Sequence, residues 1–269
     1  MIRRISLMTT IMFLSMMTLY AQNRKDTYRA VYNFEYTKDS VNMVKSKDIL
    51  FLELNSTQSF CYSYYTYQTD SLRTSPNGQE VWNQMFRASL AKDGTSAISF
   101  PHKRSTFTIL KNHKSREIKI KDIIDVDIYE YTIPLDEFEW QIQDSTEIIL
   151  GYTCILATTL YHGRQWEVWF TPDIPLSDGP WQFCGLPGLI IKARDINNLF
   201  DFNLSEFRLC NNPIKDWTDN GRKTTRKEFL KRKYKYLKNS TTIFNAEFDA
   251  NISNIADTRY LKGLEPDFD

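Results

Sequence analysis

Apolar and polar residues alternate with a period of two in segment after segment of this chain. Residues 28–36 (YRAVYNFEY), 48–54 (DILFLEL), 59–67 (SFCYSYYTY), 165–171 (QWEVWFT) and 200–209 (FDFNLSEFRL) all carry the pattern. Side chains of a strand point alternately to its two faces, so each segment reads as a strand with one face buried. Residues 97–110, 117–120, 127–133 and 189–194 read as further strands, rich in β-branched and aromatic residues. Residues 147–160 and 165–171 read as the two arms of a hairpin turning at 161–164, around Gly163. Consecutive strands with short turns favour an antiparallel meander.

Helical signals are few. Residues 75–78 (SPNG) form a turn, and 80–90 follow as a short helix expected to direct Val81, Met85 and Leu90 inward. Thr225 and Glu228 are spaced as a capping box, and Phe229, Leu230, Tyr234 and Leu237 then recur at helical intervals. That helix carries Arg226, Lys227, Lys231, Arg232, Lys233, Lys235 and Lys238, which read first as a solvated face. The fold expected is mainly β (α+β): a curved antiparallel sheet or half-barrel with a C-terminal helix packed on it. No repeat or linker divides it, and 42% hydrophobic residues suffice for a full core. A single β-rich domain over residues 22–269 is therefore expected.

One stretch departs from the alternation. Residues 179–191 (GPWQFCGLPGLII) hold Gly179, Gly185 and Gly188 beside Pro180 and Pro187. Glycine serves where φ is positive or another backbone comes close, and proline fixes φ. The stretch reads as a rigid corner that feeds a buried strand.

The N-terminus reads as an address. Arg3 and Arg4 precede an apolar run over 5–20 that ends at Ala21. This is the form of a secretory signal peptide spanning residues 1–21, although Leu19 stands where a small residue is preferred. Export to the periplasm or cell envelope is expected, without an integral membrane span elsewhere. The chain carries 34 Lys+Arg against 33 Asp+Glu. That balance gives no general attraction to nucleic acid, so none is expected as a partner. Four cysteines in an exported chain allow two disulfides, and Cys154–Cys184 is the preferred pair.

Chemistry is thinly signalled. The three histidines, His102, His113 and His162, stand in turn-like settings without a second ligand at metal spacing, so no metal is expected. No nucleophile elbow, P-loop or dinucleotide fingerprint is present, and no cofactor is expected. Asp173, Asp178, Asp195 and His162 are the nominal set for a hydrolase or isomerase with a dispersed site, against the alternative that the aspartates cap turns. Arg164, Trp166, Trp169, Trp181 and Arg194 concentrate large rings and cations near the corner. They are the candidate ligand-binding residues for a lipid, peptide or glycan, against the alternative of core packing.

Residues 151–159 (GYTCILATT), Gly163-Arg164, Trp169-Phe170-Thr171, Ile174-Pro175 and the hexapeptide Gly185-Leu186-Pro187-Gly188-Leu189-Ile190 together resemble the GLPGLI family. The likeness is specific over 151–195 and looser toward the N-terminal strands and the capping box. It implies an exported Bacteroidetes protein, and it brings no catalytic residue or ligand with it. Three readings follow: a non-enzymatic periplasmic binding or envelope-associated protein with an apolar ligand, the dispersed-site enzyme, and an interaction module for an outer-membrane partner.

Overall fold

The structure, a computed structural model, describes residues 26–39, 44–94, 102–210, 212–248 and 263–267. The signal-peptide segment 1–21 lies outside the described residues. Among the described residues twelve strands form one sheet in the order β12-β6-β5-β4-β3-β2-β1-β11-β10-β9-β8-β7, in which β12 (Arg222–Lys223) pairs parallel with β6. Strands β1 (Thr27–Asp39), β2 (Val44–Leu54), β3 (Gln58–Ser63), β4 (Thr108–Asn112), β5 (Glu117–Ile124) and β6 (Asp127–Pro134) make one antiparallel meander. Strands β7 (Gln141–Ile149), β8 (Tyr152–Tyr161), β9 (Arg164–Thr171), β10 (Leu189–Asp195) and β11 (Phe200–Cys210) make a second. The two join where β11 pairs antiparallel with β1, so the chain's neighbours in sequence are mostly neighbours in space. The expected mainly β, curved sheet with a C-terminal helix is the fold observed.

Alternation decides which side chains meet. Ala30, Tyr32 and Phe34 of β1 share a face with Leu50, Leu52 and Leu54 of β2, Ile118 and Ile120 of β5, Trp166, Val168 and Phe170 of β9, and Phe200, Phe202 and Leu204 of β11. All are buried. Among the described residues several segments cover this face, residues 135–140 with Leu135, Phe138 and Trp140 among them. The corner between β9 and β10 contributes Ile174, Trp181, Phe183 and Leu186. Helix α3 (Arg226–Phe248) contributes Phe229, and the segment 263–267 contributes Leu264. A smaller cluster on Phe60, Tyr62 and Ile214, with Phe51, Leu110 and Trp217 against it, is built where residues 212–218 pass over β3 and β4.

Several expectations need correcting. The strand read over 59–67 stops at Ser63, whose hydroxyl accepts from Thr66 N at 3.2 Å and caps helix α1 (Tyr64–Thr74). Helix α2 (Gly78–Asp93) contains the expected 80–90 segment, but Val81, Met85 and Leu90 are 39%, 38% and 36% exposed. They do not point inward because α2 packs mainly on α1 rather than on the sheet. The strand read over 97–110 begins only at Thr108, and its residues 97–101 lie outside the described ones. The arm read over 147–160 is two strands. Leu150 (φ 53°) and Gly151 (φ 84°) form a two-residue turn with both φ values positive, as in a type I′ hairpin. His162 (φ 49°) and Gly163 (φ 77°) do the same at the hairpin that was expected.

All four cysteines are free, buried thiols. The expected Cys154–Cys184 bond is not formed, because the two sulfurs face different neighbours. Cys154 Sγ is directed at Tyr152 O of its own strand (3.6 Å), and Cys184 Sγ at Leu135 O (3.7 Å). Burial pushes the Cys184 thiol up to about 12.

Candidate functional site

The corner is pinned to the sheet from every side. Lys111 of β4 follows the inward phase of Ile109, so its side chain enters the core. Its ammonium donates to Gly179 O (2.6 Å) and Phe183 O (2.9 Å) and pairs with Asp178 Oδ1 at 2.5 Å. His113 Nε2 lies 3.0 Å from Asp178 Oδ2. Tyr32 donates its hydroxyl to Ile190 O (2.6 Å), and Trp140 Nε1 donates to Cys184 O (2.8 Å). Trp181 and Phe183 stack edge-on at 5.1 Å between ring centroids, and Phe183 meets Trp166 at 4.8 Å. Aromatic pairs at such angles add to the area they bury.

Trp181 stands out within the corner. It is buried yet has φ 53°, a left-handed conformation that costs a bulky residue about 1–3 kcal/mol. The local chain holds it there between Pro180 and Gln182. Its ring lines a cavity of about 130 Å³ beneath α3, with Ile120, Tyr131, Phe229, Leu230 and Leu264. Polar groups reach the same cavity: Gln182, Glu265 and the Asp122–Lys233 ion pair.

Segment 263–267 ties this cavity to the corner. Tyr161 donates to Gln182 Oε1 (2.7 Å), and Gln182 Nε2 donates to Glu265 Oε1 (2.8 Å). Arg226, in the first turn of α3, binds Glu265 and Asp267. Burial raises the Glu265 carboxyl above its ordinary range, against the pull of Arg226 and Gln182. His162 has Asp267 at 3.3 Å from Nδ1 and Glu137 at 3.5 Å from Nε2. Burial, then Arg226, hold His162 down to about 4, outweighing Asp267.

The sequence candidates separate. Arg164, Trp166 and Trp181 are on the covered face, whereas Trp169 and Arg194 belong to the other phase of their strands. Arg194 is 41% exposed and pairs loosely with Glu167 at 3.5 Å. Of the five, Trp181 lines the cavity. Arg164 is committed to architecture: Nη1 lies 3.3 Å from Asp195 Oδ2, Nη2 donates to Gly263 O (2.7 Å), and its carbon lies 4.5 Å over the Phe200 ring. Arg164→Lys is expected to cost about 1–2 kcal/mol in chemical denaturation, since an ammonium cannot reproduce the forked contacts to Asp195 and Gly263. Unchanged stability would remove Arg164 as the strut between the hairpin and segment 263–267.

The nominal acid–base set does not converge either. Asp178 belongs to Lys111 and His113. Asp195 accepts from Leu199 N and Phe200 N (2.7 Å each) besides Arg164. Exposed Asp173 accepts from Thr153 N (3.3 Å), and His162 faces Asp267 and Glu137. Among the described residues no group of three His, Cys, Asp or Glu is arranged to hold a metal ion. No described helix is long and apolar enough to cross a membrane, which says nothing about strands.

Comparison with known proteins gives a short family match and a likeness of fold. Residues 158–192, from the second half of β8 to the middle of β10, match the family Porph_ging, described as a protein of unknown function. That match lies inside the stretch that includes the corner. No curated protein matches the chain. Among solved structures, PNGF-II in a P21 crystal form aligns with a TM-score of 0.54 at 15% identity, over 78% of this chain and 33% of its own. This chain thus spans about a third of the length of PNGF-II, and at that identity the likeness shows the fold alone. The C2 form of PNGF-II aligns at 0.48 and 15% identity, over 75% of this chain and 31% of its own. A LolA superfamily protein from Nitrosomonas europaea aligns at 0.27 and 8% identity, over 73% and 89%. These last two scores are too low to carry an argument.

Lys111, Gln182 and Glu265 were not singled out from the sequence, and His113 was read only as a residue in a turn-like setting. Lys111 was legible, because a lysine in the inward phase of a strand must find a partner. Glu265 was not, since it sits in a tail without periodicity.

Proposed function

We propose that this chain is a non-enzymatic, exported binding protein of the cell envelope, with residues 22–269 as one β-rich domain. Its proposed ligand surface is the cleft beneath α3, in line with the resemblance to the GLPGLI family and the short match to a family of unknown function. The observation that carries this reading is Trp181, a buried indole in a strained left-handed conformation that lines a mostly apolar cleft with polar groups at its edge. Strained residues cluster where ligands are clamped. The competing dispersed-site enzyme is disfavoured because Asp173, Asp178, Asp195 and His162 are each engaged by different structural partners. An apolar cavity near 150 Å³ takes a benzene-sized group. The cleft, at about 130 Å³, therefore suits one ring or short branched chain of a lipid, peptide or glycan conjugate rather than a whole acyl chain.

Titration with 4-fluorotoluene, followed by ¹⁹F NMR, tests the reading. Saturable broadening with a Kd of ~1 mM is expected. Leu230→Trp, which fills the cleft, should abolish it. Absence of saturable binding, or equal binding by Leu230→Trp, would overturn the assignment.

A further inference from the structure

A second pocket, of about 220 Å³, opens where residues 212–218 cross β3 and β4. Its walls are aromatic, from Phe60, Tyr62, Tyr67 and Trp217, and two of its side chains are lysines, Lys121 and Lys215. The Lys215 ammonium lies 3.9 Å from the Tyr62 ring centroid and 3.3 Å from that of Tyr67. It is shielded from solvent and, among the described residues, has no hydrogen-bond acceptor. The carboxylate that acts on it electrostatically, Glu53, is already engaged by Arg29 (2.7 Å) and by the Tyr62 hydroxyl (3.0 Å). Lys121 stacks 4.5 Å over Trp217 and donates to Thr218 O at 2.6 Å. The two acids of the pocket do not neutralise Lys215: Asp70 pairs with Lys103 at 2.5 Å, and Asp216 is exposed.

Rings stabilise a cation by roughly 0.5–2 kcal/mol each, whereas a shielded ammonium with no acceptor forfeits more than that. The arrangement is complete only when an anionic oxygen reaches Lys215. We propose that this pocket is a second ligand site, which takes the carboxylate or phosphate of a small anionic ligand at Lys215 and Lys121 and stacks its ring on Trp217. Burial pulls both lysines below their ordinary range, outweighing Glu53 at Lys215 and Glu130 and Asp219 at Lys121. The pocket meets the cleft beneath α3 at Phe107 but shares no charged residue with it, and its probes and variants differ, so the two assignments are tested separately.

Calorimetric titration of the full chain with benzoate and with phenyl phosphate, in separate arms, tests it. One-site binding of at least one probe is expected, and the tighter arm tells carboxylate from phosphate preference. Lys215→Met should weaken that binding at least ~10-fold, equivalent to about 1.4 kcal/mol. It should not lower the thermal midpoint, because it removes a charge that lacks an acceptor. Lys121→Met should weaken binding less, and Lys119→Met, outside the pocket, should leave it unchanged. No saturable heat up to about 10 mM with either probe would overturn the proposal. So would binding to Lys215→Met as tight as to the unaltered chain.

Discussion

Lys111→Met is expected to lower the free energy of unfolding by about 3–5 kcal/mol, because it strips the partner from a buried carboxylate. Methionine approximates the volume of the lysine, so the loss is electrostatic rather than a cavity. Without the ammonium, Gly179 O and Phe183 O lose a charged donor, and Asp178 keeps only His113 Nε2 and its own bond from Gly179 N at 2.7 Å. Adding Asp178→Asn should return part of the loss, because a neutral amide tolerates the site better than an unpaired charge. The non-additivity, measured by urea denaturation, should exceed about 1 kcal/mol. Additive losses would mean that Lys111 and Asp178 act independently, and the corner would need another anchor. Acid should erase the same interaction. Burial alone would raise Asp178, but Lys111 and then His113 outweigh it and hold the carboxyl below its ordinary 3.8. A depressed native pKa gives stability that is present above that ordinary value and lost as pH falls below it toward the native one. The Asp178→Asn variant should therefore lose less stability than the unaltered chain on acidification below about pH 4.

That anchor also shows how far the sequence could be read. Alternation placed most of the sheet strands and their covered face, though not β7 as a strand of its own, since Tyr32, Leu52, Val168 and Phe202 fall in phase. Thr225 and Glu228 marked the start of α3, and they do exchange capping bonds (Glu228 N to Thr225 Oγ1, 3.2 Å; Thr225 N to Glu228 Oε2, 3.4 Å). Failures arose where one polar side chain or one unusual φ overrode a run of strand-formers. The aromatic run after Phe60 promised strand as far as Tyr67, but the Ser63 hydroxyl capped a helix instead. Leucine is not a turn residue, so Leu150 hid a hairpin that Gly151 alone did not announce. The site was less legible than the fold. Period-two patterns tell which face a ring occupies, as with Trp166 against Trp169. They do not tell which distant segment covers that face, and the cleft depends on α3 and residues 263–267 arriving over Trp181.

Gly188→Ala is expected to cost more than about 3 kcal/mol, and Gly185→Ala about 1–2 kcal/mol, although both glycines stand in the same hexapeptide. The difference is steric. A Cβ on Gly188 would lie 2.0 Å from Thr171 O and 2.6 Å from Thr171 C. Thr171 is buried at the end of β9 and is in register with Leu189, so relief requires the strand itself to move. At Gly185 a Cβ would meet only the edge of Trp140, at 3.4 Å from Nε1, and the position is exposed. The cost there is that of holding alanine at φ +92°, outside its allowed basins. Thermal unfolding of the two variants separates the effects. Equal losses would mean that the corner yields as a unit and that the contact with Thr171 is not the reason for the second glycine. Gly185→Ala with near-native stability but no binding of 4-fluorotoluene would make the opposite point. The hexapeptide would then act on the cleft through the position of Trp181, four residues upstream of Gly185, and not merely hold the corner closed.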